Sequence, residues 1–120
     1  MSIAGILPAS SNVRLVGGTN SSAGRLEVFH NGTWGTVCDD GANSAMANIV
    51  CQMLGFNSGD LTTKFGGGTG PILMDDVDCS KDDTSLFDCQ HEEWGAHNCD
   101  HSEDVGVVCS YTLGNEKLLS

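Results

Sequence analysis

Alternation of apolar and polar positions marks the first third of the chain as strand. Val13-Arg14-Leu15-Val16 alternates and stops at Gly17-Gly18. From Gly24 to His30, Leu26, Val28 and His30 share one face while Glu27 and Phe29 share the other, the period of two of a half-buried strand. Asn31-Gly32 then supplies the two positive-φ positions of a tight hairpin, and Thr33 to Cys38 is the return strand. Residues 13–38 therefore read as an antiparallel meander.

Further on the period changes. Ala45, Met46, Ile49, Val50, Met53 and Leu54 recur at three- and four-residue spacings, which gives a helix one apolar stripe, and its methionines read as core. Asn43 or Ser44 can cap its start, and Gly55 stands where a terminating glycine belongs. Cys51 lies near the inner face, within reach of a strand below. From Asn57 to Pro71 the chain reads as loop. Its glycines, Gly66-Gly67-Gly68 and Gly70, lack the strand–loop–helix setting of a phosphate cradle and predict a flexible or tightly turned surface segment. Pro71 to Met74 reads as a short buried strand, Leu86-Phe87 as the anchor of a helical turn, and Val105 to Cys109 as a central strand.

A chain of 120 residues buries one modest core, so cross-links would help it. Its six cysteines, Cys38, Cys51, Cys79, Cys89, Cys99 and Cys109, are even in number and contain no Cys-x-x-Cys pair. They read as a disulfide framework in an oxidising compartment, the alternative being reduced core cysteines. Fifteen pairings are open to them. Charge narrows the partners. The net charge is −11, with sixteen carboxylates against Arg14, Arg25, Lys64, Lys81 and Lys117, which excludes a dedicated nucleic-acid partner. Most of the carboxylates fall between Asp75 and Asp104, where Lys81 is the lone cation. Such a cluster is either a solvated acidic face or a place where hard cations sit. No run is long enough to insert in a membrane. Residues 1–12 are expected to be a leader or an added segment without the basic start of a signal peptide, 13–110 the domain, and 111–120 a tail.

Several segments, taken in order, resemble one family. They are Val13 to Gly18, Gly24 to Val28, Trp34-Gly35-Thr36-Val37-Cys38-Asp39-Asp40, Cys51-Gln52-Met53-Leu54-Gly55-Phe56, Asp75-Asp76-Val77-Asp78-Cys79, Trp94-Gly95-Ala96-His97-Asn98-Cys99 and Glu103 to Cys109. Together they resemble the scavenger receptor cysteine-rich (SRCR) domain, in its six-cysteine group A form, with macrophage class A scavenger receptors among the nearer relatives. The resemblance implies an α+β fold, a curved antiparallel sheet cradling one main helix with long disulfide-tied loops. It implies the pairs Cys38–Cys99, Cys51–Cys109 and Cys79–Cys89. It also implies a place outside the cell, secreted or on the cell surface, as a module of a larger or multimeric receptor.

The first of those bridges would pin Asp39-Asp40 beside residues 98–103, with Glu103 facing them. Two aspartates and a glutamate from another loop suit a hard divalent cation. The resemblance carries one cation site onto Asp39, Asp40 and Glu103, and a second onto Asp75, Asp76 and Asn98. Asp78 is an additional carboxylate. Calcium is the expected ion, with magnesium the alternative. A cation with an incomplete shell would bridge this acidic domain to anionic polysaccharide, lipid or protein ligands, such as microbial polyanions, modified lipoproteins or host glycans. The basic route is weaker: where some relatives carry an arginine cluster, this chain has Ser21-Ser22-Ala23-Gly24-Arg25, which Arg14 and Lys64 would have to supplement.

Competing chemistry fares worse. His97 and His101 have helical zinc spacing, but the intervening Asn98-Cys99-Asp100 reads as loop, and the histidines at 91, 97 and 101 are expected to pack and hydrogen-bond near Trp94. No nucleophile elbow or spare cysteine exists, and paired carboxylates in disulfide loops offer no substrate cleft, so no enzyme is expected. Asn20-Ser21-Ser22 and Asn31-Gly32-Thr33 are glycosylation sequons. The alternative to cation-dependent recognition is a structural or protein–protein module whose ions serve only stability.

Overall fold

A computed structural model describes residues 12–111. The expected leader and tail, 1–12 and 111–120, lie almost wholly outside the described residues. The predicted meander is three strands, β1 (Val13–Gly17), β2 (Ala23–His30) and β3 (Thr33–Val37). β1 and β2 pair antiparallel from Val13↔Val28 to Gly17↔Gly24. Asn31 and Gly32, at φ 57° and 85°, make the turn into β3, where Phe29 faces Trp34 and His30 faces Thr33.

The remaining elements are α1 (Ser44–Met53), β4 (Ser58–Thr62), β5 (Ile72–Met74), two 3₁₀ turns at Leu86–Asp88 and His101–Glu103, and β6 (Gly106–Ser110). The second edge of β2 is divided. Ala23 to Arg25 pair with β6, and Glu27 to His30 pair with β3. Between them the Leu26 N–H donates to the Val105 carbonyl at 3.0 Å. The six-stranded sheet runs β4-β6-β2-β3-β5, with β1 on the other edge of β2. It is antiparallel except for β3 and β5, which pair parallel because α1 and β4 intervene between them.

Helix α1 starts where Asn43 accepts the Met46 N–H on Oδ1 at 2.9 Å, and it gives way at Leu54 to Gly55, φ 96°. Met46, Ala47, Ile49, Val50 and Cys51 are buried against β4 and β6. They join Leu26, Val28, Val37, Met74, Val77, Leu86, Val105 and Val107 in one core. The three bridges are Cys38–Cys99, Cys51–Cys109 and Cys79–Cys89, as the family resemblance implies, and no described cysteine is free.

Strand β4 corrects the loop reading of 57–71. Ser58-Gly59-Asp60-Leu61-Thr62 shows no clean alternation because it is an edge strand, held by pairing along β6. Gly59 has a packing reason. Its N–H donates to Asn48 Oδ1 at 3.0 Å, and a Cβ there would collide with the Cys51 sulfur. The glycines after it are tightly turned: the Gly68 N–H donates to Asp104 Oδ2 at 2.8 Å, and a Cβ on Gly67 would strike the His101 backbone.

Candidate metal centre

Three segments converge at the end of β3. The Asp39 N–H donates to the Glu103 carbonyl at 2.8 Å, and the Cys38 N–H to the Met74 carbonyl at 2.9 Å. The Cys38–Cys99 bridge adds a covalent tie, with its Cα atoms 6.3 Å apart. Together these bonds fix the 38–40, 74–76 and 98–104 segments against one another.

The carboxylates follow from this frame. One oxygen each from Asp39, Asp40 and Glu103, with the Cys38 sulfur, lie within 4.8 Å of one another. The sulfur is spent in the bridge, so the donor set is three hard oxygens of the kind calcium or magnesium takes. Glu103 is oriented by its own turn: Oε1 accepts the Asp100 N–H at 3.0 Å, while Asp100 accepts the Ser102 N–H at 3.0 Å. The Asp39 carboxyl is pushed above its ordinary value of 3.8, first by partial burial, then by the negative charges of Asp40 and Glu103. Repulsion of this kind is what a bound cation relieves.

Asp40 has a second set of neighbours. Oxygens of Asp40 and Asp75 cluster within 4.8 Å beside the bridge sulfurs, with Asp75 Oδ1 3.3 Å and Asp40 Oδ2 3.6 Å from the Cys99 sulfur. Asp75 is only 1% exposed. It is held by the Asp76 N–H at 2.7 Å and the Asn98 N–H at 3.4 Å. Asp76, at φ 53°, and Asn98 are exposed, and with Asp75 they line one cleft. The structure thus brings all six predicted ligands to one face, with Asp40 common to two carboxylate groups. Asp78 joins neither. It approaches the Asn43 amide at 3.5 Å and lines a separate cleft with Asp83 and Asp88.

The basic residues are differently placed. Arg14 and Arg25 meet at the buried Glu27, at 2.7 Å and 3.2 Å, and Arg14 also lies 4.1 Å over the Trp34 ring. Lys64 sits 5.4 Å from the Phe65 ring. One carboxylate therefore offsets one of the two arginine charges. His30 stacks on Trp94 at 3.7 Å and His91 meets its edge, while His97 and His101 turn elsewhere. His97 Nδ1 accepts the Cys99 N–H at 3.1 Å.

The pairing of Asp104 with His101 went unnoticed in the sequence. The Asp104 side chain is fully buried, and its Oδ1 has no hydrogen-bond partner. Its Oδ2 faces His101 Nδ1 at 2.8 Å, and His101 Nε2 faces the Gly70 carbonyl at 2.9 Å. Both ring nitrogens thus look at acceptors, and the hydrogen bond to Asp104 raises the imidazole above its ordinary 6.5. A raised value favours folding fully below 6.5 and loses that contribution as pH rises through the folded-state value. We expect the melting temperature to fall across that window above 6.5, and His101→Gln to flatten the slope, as calorimetry at a series of pH values would show. A wild-type slope unchanged in the variant would remove His101 as its source.

Comparison with known proteins matches the SRCR domain over residues 16–110. A protein of that domain superfamily from Patiria pectinifera is 52% identical over 106 residues, 86% of this chain and 9% of the relative. The macrophage receptor MARCO of Mesocricetus auratus is 52% identical over 97 residues, 81% of this chain and 20% of the receptor. The chain therefore spans a fifth or less of the length of these two relatives. Among solved structures, the dimeric form of the SRCR domain of mouse MARCO aligns with a TM-score of 0.70 at 46% identity, covering 87% of this chain and 100% of that one. The third SRCR domain of murine neurotrypsin gives 0.73 at 46% identity, covering 84% and 97%.

Proposed function

Because this chain belongs to the scavenger receptor cysteine-rich domain family, we propose that it is a non-catalytic extracellular recognition module that takes anionic ligands through divalent cations held on its acidic face. The observation that carries the reading is the convergence of Asp39, Asp40 and Glu103, three oxygens within 4.8 Å in a chain of net charge −11. Asp39 and Asp40 come from one side of the bridge and Glu103 from the other, so the donors are positioned before an ion arrives. Asp75, with Asp76 and Asn98 in the adjoining cleft, would hold a second ion. Calcium is favoured over magnesium because the donors come from irregular loops, and calcium tolerates irregular geometry. When bound, the ion supplies positive charge and open coordination positions for a sulfate, phosphate or carboxylate oxygen. Pairing with Glu27 cancels one of the two charges of Arg14 and Arg25, which weakens the basic route and favours the cation route.

The test is binding of the purified domain to immobilised dextran sulfate, a sulfated polysaccharide, in calcium and in chelator. Binding is expected in calcium and is expected to weaken about tenfold or more in chelator, the loss of roughly 1.4 kcal/mol. Calcium uptake without calcium-dependent polysaccharide binding would make the ions structural and the module a protein–protein one. Equal binding in both buffers would move recognition to Arg14, Arg25 and Lys64.

A further inference from the structure

A glycosylation sequon, an exposed turn and a cleft coincide at Asn31. Asn31-Gly32-Thr33 forms the β2–β3 turn, and all three residues are exposed. Beside it lies a cleft of about 300 Å³ lined by Asn31, His30, Thr33, Pro71, Leu73 and Trp94. That volume is at the lower end of small-ligand pockets. Its walls are an imidazole stacked on an indole, a proline ring and an aliphatic side chain, surfaces that suit the C–H face of a neutral sugar. Asn20, in the other sequon, lies in the turn at the opposite end of β2 and is not part of this cleft.

We propose that Asn31 carries an N-linked glycan and that the first N-acetylglucosamine rests in the cleft beside Trp94. The proposal depends on the extracellular part of the reading above, since the modification occurs on the secretory route, but not on the cations or the anionic ligand. In the transfer, Asn31 Nδ2 gives up one proton and bonds to the anomeric carbon of N-acetylglucosamine. The bond from that carbon to a lipid-linked diphosphate breaks, and the diphosphate leaves with the electron pair. Nothing is oxidised or reduced. Attachment at the cleft's own rim makes docking of the first sugar intramolecular, so a weak stacking contact suffices to hold it.

The experiment is secretion of the chain from mammalian cells that stop at high-mannose glycans, followed by peptide mapping. Three forms are then melted: the full glycan, the form trimmed to one sugar, and the form stripped by peptide-N-glycosidase, which leaves Asp. Asn31→Asp made directly serves as the reference for the stripped form. We expect Asn31 to be occupied, and the one-sugar form to melt with the full form, about 2 °C or more above the stripped form and N31D. Secreted protein with an unmodified Asn31 overturns the modification. Occupied Asn31 whose single sugar adds nothing to the melting temperature overturns the seat in the cleft. Calcium uptake is measured on the same samples and stands or falls separately.

Discussion

Removing the Cys51–Cys109 bridge by replacing both residues with alanine is expected to lower stability by about 4 kcal/mol. The bridge closes a loop of 58 residues between α1 and β6, and the unfolded chain regains that closure entropy when it is cut. The Cys38–Cys99 loop, at 61 residues, should cost the same, whereas Cys79–Cys89, at 10, should cost about 3 kcal/mol or less. A domain this size holds roughly 5–15 kcal/mol in total, so either long-loop variant stands near the threshold of unfolding at body temperature. Urea denaturation of the three double variants gives the ranking. The Cys38–Cys99 variant carries a second signature, because its bridge also fixes Cys38 beside the 98–103 segment, and calcium affinity should fall with stability there and not in the Cys51–Cys109 variant. Equal costs for all three would show that loop closure is not what these bridges contribute.

Asp40→Asn is expected to move stability in opposite directions with and without calcium. Asp40 stands in both carboxylate groups, and its charge helps push the Asp39 carboxyl upward. Without the ion, neutralising it relieves that repulsion and the variant should melt at or above the wild type. With calcium the order reverses. Calcium sites of extracellular modules bind with dissociation constants of about 0.1–1 mM, so about 10 mM ion should stabilise the wild type by about 1.4–2.7 kcal/mol, a melting shift of about 6 °C or more. Asp40→Asn should forfeit most of that shift, while Asp78→Asn, outside both groups, should keep it. Differential scanning calorimetry of the three proteins in calcium and in chelator decides the matter. A wild type whose melting temperature ignores calcium would leave the acidic face a solvated surface.

Much of the fold is legible in the chain because its strands and helix carry strong periods. Leu26, Val28 and Glu27 alternate, and β2 follows. Met46, Ile49, Val50 and Met53 repeat at helical spacing, and α1 follows. Strand β4 escapes because Ser58 to Thr62 has no apolar face of its own, and its pairing partners are 44 to 52 residues away. The parallel contact of β3 with β5 escapes because its partners lie 36 and 37 residues apart, although both strands are legible singly. At the site, Asp39 and Glu103 are 64 positions apart, and only the family resemblance brought them together before the fold did. Asp75 and Asp76 look alike in sequence, yet one is buried just past the end of β5 and the other, with a left-handed backbone, is exposed. The Arg14–Glu27–Arg25 cluster depends on register: Arg14 faces Glu27 across the β1–β2 pair, and hydropathy alone does not supply that alignment.

Strand β2 lies between β1 and β6, which run in the same direction on its two edges. The domain's first strand starts opposite Val28, and its last strand leaves past Ala23, five residues or ~17 Å away along β2. A pull applied at Val13 and Ser110 would therefore load the sheet along its strands. The hydrogen bonds of β1 with β2 and of β2 with β6 would bear that tension side by side in shear, instead of parting one after another like a zip. The Cys51–Cys109 bridge would pass part of the load from β6 into the helix. Strung in series under flow or adhesion, such a domain would stay folded while softer connecting segments extended.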